Sequence, residues 1–297
     1  MISRQFVAPN FVVEASEEDG KRWKWVTRGS SKEDVVVRLE EEEWIVHTVE
    51  PYDFQGWLQQ SASLLQGVQH PQGNAHELDF DAKHYGKLKH HLFELFEGKC
   101  AYCEGEGAHV ASGDVEHFRP KRGVKGEPDH PGYYWLAYDV QNLLPSCERC
   151  NRAGAKMNHF PVEAGTRATA PEEVEDERPL LLNPYLDRNP LEHLKFLKSG
   201  KVVGRTEKGD RSIGIYRLQR RELKRKREEK IGEAERELNV AITHKGLDRA
   251  ISDLIEELKL GRREYSAALL SVLADWLEQQ QNGIARALRR LRSDGAE

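Results

Sequence analysis

The sequence predicts an α+β fold in three parts, and three observations support this division. The first part, residues 1–70, holds short runs rich in β-branched and aromatic residues. The central part, residues 76–210, contains all four cysteines of the chain, arranged as two C-x-x-C pairs. The last part, residues 211–297, is densely charged and carries an apolar stripe at helical spacing. We therefore expect a β-rich N-terminal region, a metal-organised centre and a helical C-terminal region.

Composition restricts the class of protein. The chain has 297 residues, of which 38% are hydrophobic and 32% are charged, as in a soluble globular protein. No run approaches the 18 or so apolar residues that a membrane-spanning helix needs, so no membrane contact is expected. The first residues lack the apolar core and cleavage site of a secretory signal, which predicts a cytoplasmic protein.

Charge is distributed unevenly along the chain. The net charge of −5 argues against a nucleic-acid ligand when it is taken alone. Residues 1–54, however, carry a net charge of −5, whereas residues 117–160 carry +3 and residues 201–230 carry +7. Local charge matters more than the total for binding phosphates, so nucleic acid stays a candidate ligand.

The first hundred residues predict short strands followed by two helices. A helix is expected from Asp53 to Leu65, and a longer one from Asp79 to Glu97, because apolar residues recur there at three- and four-residue spacing. Gly98 is a suitable stop for the longer helix. Strands are expected at Phe11–Val13, Trp23–Val26, Val35–Leu39 and Trp44–Val49.

The rest of the chain predicts a second set of elements. A strand ends at Glu116-His117, a second covers Asn142–Leu144, and a helix then carries the second cysteine pair. Residues 163–178 are predicted to form an exposed acidic loop, and residues 193–205 a hairpin around Ser199-Gly200. Helices are expected from about residue 210 onward.

The two cysteine pairs predict a structural zinc site. Cys100 and Cys103 form one pair, and Cys147 and Cys150 form the other. Zinc in structural sites takes four ligands in a tetrahedron, and two C-x-x-C turns supply four thiolates and no open position. The 43 residues between the pairs exceed the usual gap, which implies an insertion. Two redox-active pairs or four buried free thiols are the alternatives.

A second site is predicted between the pairs. Glu116 and Asn151 offer oxygen ligands of the type that Mg²⁺ or Mn²⁺ prefers. His117 has an ordinary pKa near neutral pH and could take a proton from water. Taken alone, such a histidine is more often an ordinary surface or core residue. The combination predicts a divalent metal beside a general base.

This segment resembles the HNH, or ββα-metal, nuclease motif. His117 matches the first histidine of that motif, which acts as general base, and Asn142 matches the central asparagine, which braces the loop. Asn151 stands nine residues later, at the third, metal-binding position. Glu116 occupies a place that often holds aspartate. The gap from His117 to Asn142 is longer than usual, which implies an inserted loop at 123–138.

A narrower resemblance covers about residues 79–225 and does not extend to residues 1–70. The segments are similar to those of HNH subunits from Septu-type and retron-associated anti-phage systems, which work beside an ABC-like ATPase. They read LFEGKCAYCE, DVEHFRPKR, YYWLAYD, NLLPSCERCN and PLLLNPYLDRNPLEHLKF.

The resemblance implies a metal-dependent endonuclease that cuts DNA or RNA phosphodiesters together with an ATPase partner. Arg119, Lys121 and Arg122 follow His117 and could hold phosphates. The alternative is a catalytically silent, zinc-stabilised subunit that binds nucleic acid. The basic run Arg220–Arg227 is either a solvated helix face or a surface for nucleic acid or an acidic partner.

Overall fold

The computed structural model describes residues 12–16, 20–24, 54–68, 78–106, 113–152, 154–187, 189–243, 247–259 and 261–278. Two antiparallel strands, β1 (Val12–Ser16) and β2 (Gly20–Lys24), form a hairpin near the N-terminus. They overlap two of the strands predicted from the sequence. The strands predicted at 35–39 and 44–49 lie outside the described residues. The described chain mixes helix and sheet, which confirms the α+β class.

Three helices precede the cysteines: α1 (Phe54–Gly67), α2 (Ala82–Gly86) and α3 (Lys89–Leu95). The prediction of one helix from Asp79 to Glu97 is therefore wrong. Asp81 caps the start of α2 by accepting hydrogen bonds from two backbone N–H groups. Gly86, a poor helix former, ends α2 after five residues. The break buries Leu88 and turns α3 toward the cysteine region.

A small two-stranded sheet lies at the centre of the chain. β3 (Asp114–His117) pairs antiparallel with β4 (Leu143–Ser146), with His117 opposite Leu143. A one-turn helix, α4 (Glu148–Asn151), follows β4 directly. The order is therefore strand, strand, helix, with 25 residues of largely irregular chain between the strands. Asn142 lies in a single 3₁₀ turn just before β4, and not in the strand that the sequence predicted.

The C-terminal half begins with a predicted hairpin. β5 (Leu194–Phe196) pairs with β6 (Val202–Gly204), which confirms that prediction. Gly200 in the turn has φ +70°, and a Cβ there would collide with a carbonyl of α6. The helices are α5 (Glu207–Ile215), α6 (Arg221–Thr243), α7 (Leu247–Lys259) and α8 (266–278). Single 3₁₀ turns lie at Tyr134–Leu136, Val140–Asn142, Pro171–Glu173 and Pro190–Glu192.

Two apolar clusters lie on the two sides of the β3–β4 pair. The larger cluster extends from Phe96 to Trp276 and includes Leu144 of β4. The smaller cluster joins Trp57 of α1 to Leu143, the adjacent residue of β4. Neighbouring residues of a strand point to opposite faces, so the pair is held between both clusters. No helix in the described part of the chain is long and apolar enough to cross a membrane.

Most of the acidic segment 163–178 is exposed, as predicted, but its residues Ala168 and Glu177 are buried. Glu177 is buried there, and its carboxylate accepts hydrogen bonds from the Arg119 Nε–H (2.7 Å) and the Ala168 backbone N–H (3.0 Å). The Tyr133 hydroxyl donates to the same carboxylate. A buried carboxylate needs such partners, because desolvation of an unpaired charge costs several kcal/mol. These hydrogen bonds therefore attach segment 163–178 to the loop that follows β3.

Replacing Glu177 by alanine should lower the free energy of unfolding by about 3–5 kcal/mol, because the buried Arg119 guanidinium loses its counter-charge. Chemical denaturation of the two proteins measures this difference. Glu175 is exposed in the same segment. Its replacement by alanine should change the free energy of unfolding by no more than about 0.5 kcal/mol. Equal effects of the two substitutions would contradict a structural role for Glu177.

Candidate functional site

The four cysteines form one compact cluster. Their sulfur atoms all lie within 4.8 Å of one another, and the Sγ atoms of Cys103 and Cys147 are 3.9 Å apart. Zinc–sulfur bonds of about 2.3 Å in a tetrahedron place neighbouring sulfurs about 3.8 Å apart, so the cluster fits the predicted structural zinc. None of the four forms a disulfide. The convergence of both pairs at one point favours a shared metal over two separate redox pairs.

The local backbone conformation determines where the two cysteines of each pair lie. After Cys103 the chain turns sharply, with Glu104 at φ +59° and its N–H donated to the Cys100 carbonyl (2.9 Å). Cys147 is the N-cap of α4, and Cys150 follows one turn later. The Ala101 N–H donates to the Pro145 carbonyl at 2.9 Å, which joins the first turn to the end of β4. The cysteine cluster therefore holds α4 against the β3–β4 pair.

Arg220 places a positive charge against the cluster. Its Nη1 donates to the Cys150 sulfur at 3.4 Å and to the backbone carbonyl of Tyr216 at 3.0 Å. Burial lowers the pKa of this guanidinium, but the negative charges of Cys150 and Cys103 outweigh that effect and raise it. Four thiolates around Zn²⁺ leave a net negative charge, and Arg220 offsets part of it.

Replacing Cys147 by serine should remove most of the bound zinc and lower the unfolding temperature, because a three-cysteine site holds zinc less tightly. The wild type should carry about one zinc per chain, measured by elemental analysis. Ser271→Ala, which removes a buried hydroxyl elsewhere in the core, should keep its zinc. Full zinc content in Cys147→Ser would contradict the proposed ligand set.

His117 is the last residue of β3, and a hydrogen bond fixes one of its ring nitrogens. Its Nε2 lies 2.8 Å from the Ala137 carbonyl oxygen, which can only accept, so Nε2 carries the proton. Nδ1 then carries the lone pair, and it accepts from the Lys121 Nζ at 3.2 Å. The Tyr85 ring meets the imidazole edge-on at 5.0 Å between centroids. Nδ1 is therefore the basic atom of this site.

The electrostatic surroundings keep His117 neutral. Burial lowers its pKa well below the usual value, and the positive charge of Lys121 lowers it further. Burial also lowers the pKa of Lys121, to about 8, although the charge of Glu116 opposes that shift. At neutral pH the imidazole is an unprotonated base in contact with the Lys121 ammonium.

Asn142 connects the chain after β3 to the chain before β4. Its side-chain oxygen accepts from the Arg119 N–H (2.7 Å), and its amide donates to the carbonyls of Arg119 (3.0 Å) and Leu136 (3.1 Å). The backbone carbonyl of Asn142 accepts from the Phe118 N–H at 2.9 Å. These bonds fix the backbone immediately after His117 and the 3₁₀ turn that leads to Ala137.

The predicted ligands of a second metal each have a protein partner. Glu116 is buried and its Oε1 lies 2.6 Å from the Lys156 Nζ. The amide of Asn151 donates to Asp114 Oδ2 at 3.0 Å, and Arg152 donates to the same oxygen at 2.9 Å. Asp114 and Glu116 are two residues apart on β3 and so share a face. The structure thus brings Asn151 to β3, at Asp114.

Lys156 supplies a buried positive charge beside that strand. Its side chain is fully buried, and Nζ donates to the His117 backbone carbonyl at 2.8 Å in addition to its pair with Glu116. Burial raises the pKa of Glu116, and the Lys156 charge opposes this rise. Among the described residues, only the four cysteines form a group of three or more Cys, His, Asp or Glu residues close enough to share an ion. The site for Mg²⁺ or Mn²⁺ stays a prediction.

The three residues predicted to contact phosphate lie in different surroundings. Arg119 is turned inward against Glu177, so a phosphate contact there would first require breaking that buried pair. Lys121 lies over the Tyr85 ring at 4.8 Å, next to His117. Arg122 is half-buried, and its Nε donates to the Leu78 carbonyl at 3.0 Å. Lys121 is the one of these three in contact with the histidine.

Two residues of this region have contacts that the sequence did not predict. Asp114 could have been found, because a carboxylate two positions before Glu116 falls on the same face of a strand. Lys156 carried no comparable signal. It lies in the irregular chain after α4, where the sequence gives no periodicity that would predict which way a side chain points.

Stability should depend on pH through His117. Because its folded pKa is depressed, the unfolded chain takes up a proton that the folded chain resists as the pH falls through about 6.5. This group therefore removes about 1.4 kcal/mol of stability per pH unit below that point. His117→Gln should abolish that part of the slope in denaturation curves at a series of pH values. The exposed His90→Gln should leave the slope unchanged, and a slope retained in His117→Gln would contradict the assignment.

Known proteins resemble only part of the chain. No family profile and no solved structure matches. Septu protein PtuB of Bacillus mycoides (strain KBAB4) is 44% identical over 155 residues, which cover 50% of this chain and 52% of that protein. Septu protein PtuA of the same strain is 31% identical over 139 residues, covering 45% and 19%. Septu protein PtuB of Bacillus thuringiensis is 30% identical over 140 residues, covering 46% and 42%. The chain thus matches about half, or less, of the length of these relatives.

Proposed function

We propose that this chain is a metal-dependent endonuclease of the HNH type that hydrolyses nucleic-acid phosphodiesters. The observation that carries the proposal is the state of His117. Its imidazole is neutral, its Nε2–H is fixed on a backbone carbonyl, and its Nδ1 lone pair is the basic atom. A general base needs this combination of an available lone pair and a fixed ring.

The residues around His117 support a hydrolytic role. Nδ1 would take a proton from a water molecule, and the hydroxide would attack phosphorus as the bond to the 3′-oxygen breaks. Lys121 now donates to Nδ1, so it must give way to that water. Once displaced from Nδ1, the Lys121 ammonium would be free to contact a nearby phosphate oxygen. Asn142 keeps the backbone after His117 from shifting during the reaction.

The oxygen donors on β3 and α4 suit a divalent cation. Asp114, Glu116 and Asn151 are the hard ligands that Mg²⁺ and Mn²⁺ prefer, and they lie on β3 and α4, which the cysteine cluster joins. When bound, such an ion stabilises negative charge on the phosphate and on the leaving oxygen. Lys156 neutralises Glu116 in the form described here. It would have to release that carboxylate, at least in part, for the residue to act as a ligand.

The relatives support membership in a Septu-type system. They bear the names PtuB and PtuA, so Septu proteins comprise more than one component. We infer that this chain works with a protein partner in bacterial anti-phage defence. An ABC-like ATPase is the partner that the sequence resemblance implies. Because the chain matches only part of each relative, the activity and partner of the whole protein rest on this proposal.

The ion pair between Lys156 and Glu116 favours one alternative, a catalytically silent subunit that binds nucleic acid. A lysine against the carboxylate could replace the metal as a permanent counter-charge. The zinc cluster would then stabilise a binding surface, and His117 would be an ordinary buried histidine.

A plasmid-nicking assay with Mg²⁺ or Mn²⁺ separates the two functions. His117→Ala should lower the nicking rate by about a hundredfold or more, because loss of a general base typically costs that much. His90→Ala makes the same substitution at a histidine that is 73% exposed, and it should nick at the wild-type rate. The same comparison is made with an RNA substrate in place of the plasmid. Both measurements are made without and with the partner ATPase. Equal cleavage by wild type and His117→Ala would refute the catalytic proposal.

A further inference from the structure

A cavity of about 450 Å³ opens beside α4. Its wall is formed by α4, by the residue after α4 and by the turn that joins α5 to α6. The lining residues are Glu148, Arg149, Arg152, Arg217, Arg220, Arg221 and Glu222. Five of these seven side chains are arginines, although the whole chain has a net charge of −5. The cavity is therefore a local concentration of positive charge in an acidic protein.

Two of the arginines have partners that explain their position. Arg152 forms ion pairs with Asp114 and Glu148, and Arg220 donates to the Cys150 sulfur. Arg149, Arg217 and Arg221 also line the cavity, and their side chains are exposed. Their guanidinium groups are planar forks that match phosphate oxygens in pairs.

Arg217 has a left-handed backbone conformation. The end of α5 forms a Schellman motif, in which the Leu218 N–H donates to the Ile213 carbonyl at 2.9 Å and the Arg217 N–H to the Gly214 carbonyl at 3.2 Å. Arg217 occupies the left-handed position of that motif, with φ +53°, where glycine is the usual residue. The chain thus carries an arginine at a position whose backbone favours glycine.

The start of α6 adds positive charge at the same place. α6 has 23 residues, and the N-terminus of a helix bears a partial positive charge from its aligned peptide dipoles. Arg221 is its first residue and Arg220 immediately precedes it. Cations at a helix N-terminus are unfavourable unless an anion offsets them. Glu222 is the one acidic residue in the first turn, so it offsets only part of this charge.

We propose that the arginine cavity binds the phosphodiester backbone of a nucleic acid. The proposal rests on the proposed nuclease function, because it assigns the substrate's path beside the site of His117. Arg152 joins the cavity to that site: it lines the cavity and donates to Asp114 on β3. A cavity of this volume, with three arginines at separate points, holds more than one phosphate and so suits a chain of phosphodiesters.

Binding is measured by fluorescence anisotropy with a labelled DNA duplex and an RNA of the same sequence, without added Mg²⁺ or Mn²⁺. The double variant Arg149→Ala/Arg221→Ala should bind at least about tenfold more weakly, and its salt dependence should lose about 1.8 units of log–log slope, as expected for two lost phosphate contacts. The control Arg205→Ala/Arg211→Ala removes the same charge from exposed residues outside the cavity. It should stay within about twofold of wild type. Equal weakening by the two double variants would overturn the proposal.

A second variant separates ligand binding from folding. Arg217→Gly should raise the unfolding temperature, because glycine suits the left-handed backbone, and it should weaken nucleic-acid binding. A purely structural arginine would not give these opposite effects. Unchanged binding in a stabilised Arg217→Gly protein would overturn the assignment of Arg217.

Competition identifies the source of the phosphate. Inorganic tripolyphosphate and a poly-glutamate peptide are titrated against the bound duplex. If tripolyphosphate binding depends on Arg149 and Arg221 while duplex binding does not, the cavity takes a free polyphosphate; the same pattern for poly-glutamate indicates an acidic protein partner. Either result overturns the nucleic-acid assignment. Because cleavage plays no part in these measurements, an inactive protein that binds through the cavity would refute only the nuclease proposal.

Discussion

The convergence of four cysteines on one point is the constraint on which the rest of the structure depends. α4 has only four residues, and a helix of that length is not stable by itself. The sheet beside it has two strands of four residues, which is also marginal alone. Sulfur atoms within 4.8 Å of one another join α4 to the turn after α3, and the apolar clusters cover both faces of the sheet. The cysteine cluster and the apolar packing around it therefore fix the positions of α4 and the sheet.

The fixed position of α4 allows charged groups to be buried around β3. Glu116 and Lys156 form one buried pair, and Arg119 and Glu177 form another. One group of each pair, Lys156 or Glu177, also has a hydrogen bond to a backbone atom. Removal of one partner would leave an unpaired buried charge. Burial keeps His117 neutral, and the positive charge of its neighbour Lys121 adds to that effect. Burial and charge placement together decide the protonation state of the imidazole.

The sequence predicted the parts of this arrangement that depend on spacing. The cysteine pairs and the hairpin at β5–β6 both follow from short-range patterns. Prediction from the sequence failed where the contact that decides the structure joins residues far apart in the chain. Glu177 looked like one more acid in a charged segment, yet the chain folds back and places it against Arg119. Lys156 similarly reaches Glu116 through irregular chain that has no periodicity. Such contacts depend on tertiary packing, which single-sequence patterns do not encode.

Arg220 links the cysteine cluster to the arginine cavity, and this has an electrostatic consequence. The guanidinium is shared between the Cys150 sulfur and the cavity wall. A zinc ion held by four thiolates would carry a net negative charge, and the Arg220 guanidinium would offset part of it. Arg220 would then contribute less positive charge to the cavity than its place in the wall suggests. The exposed Arg149 and Arg221 would therefore supply more of the field that a phosphate backbone meets.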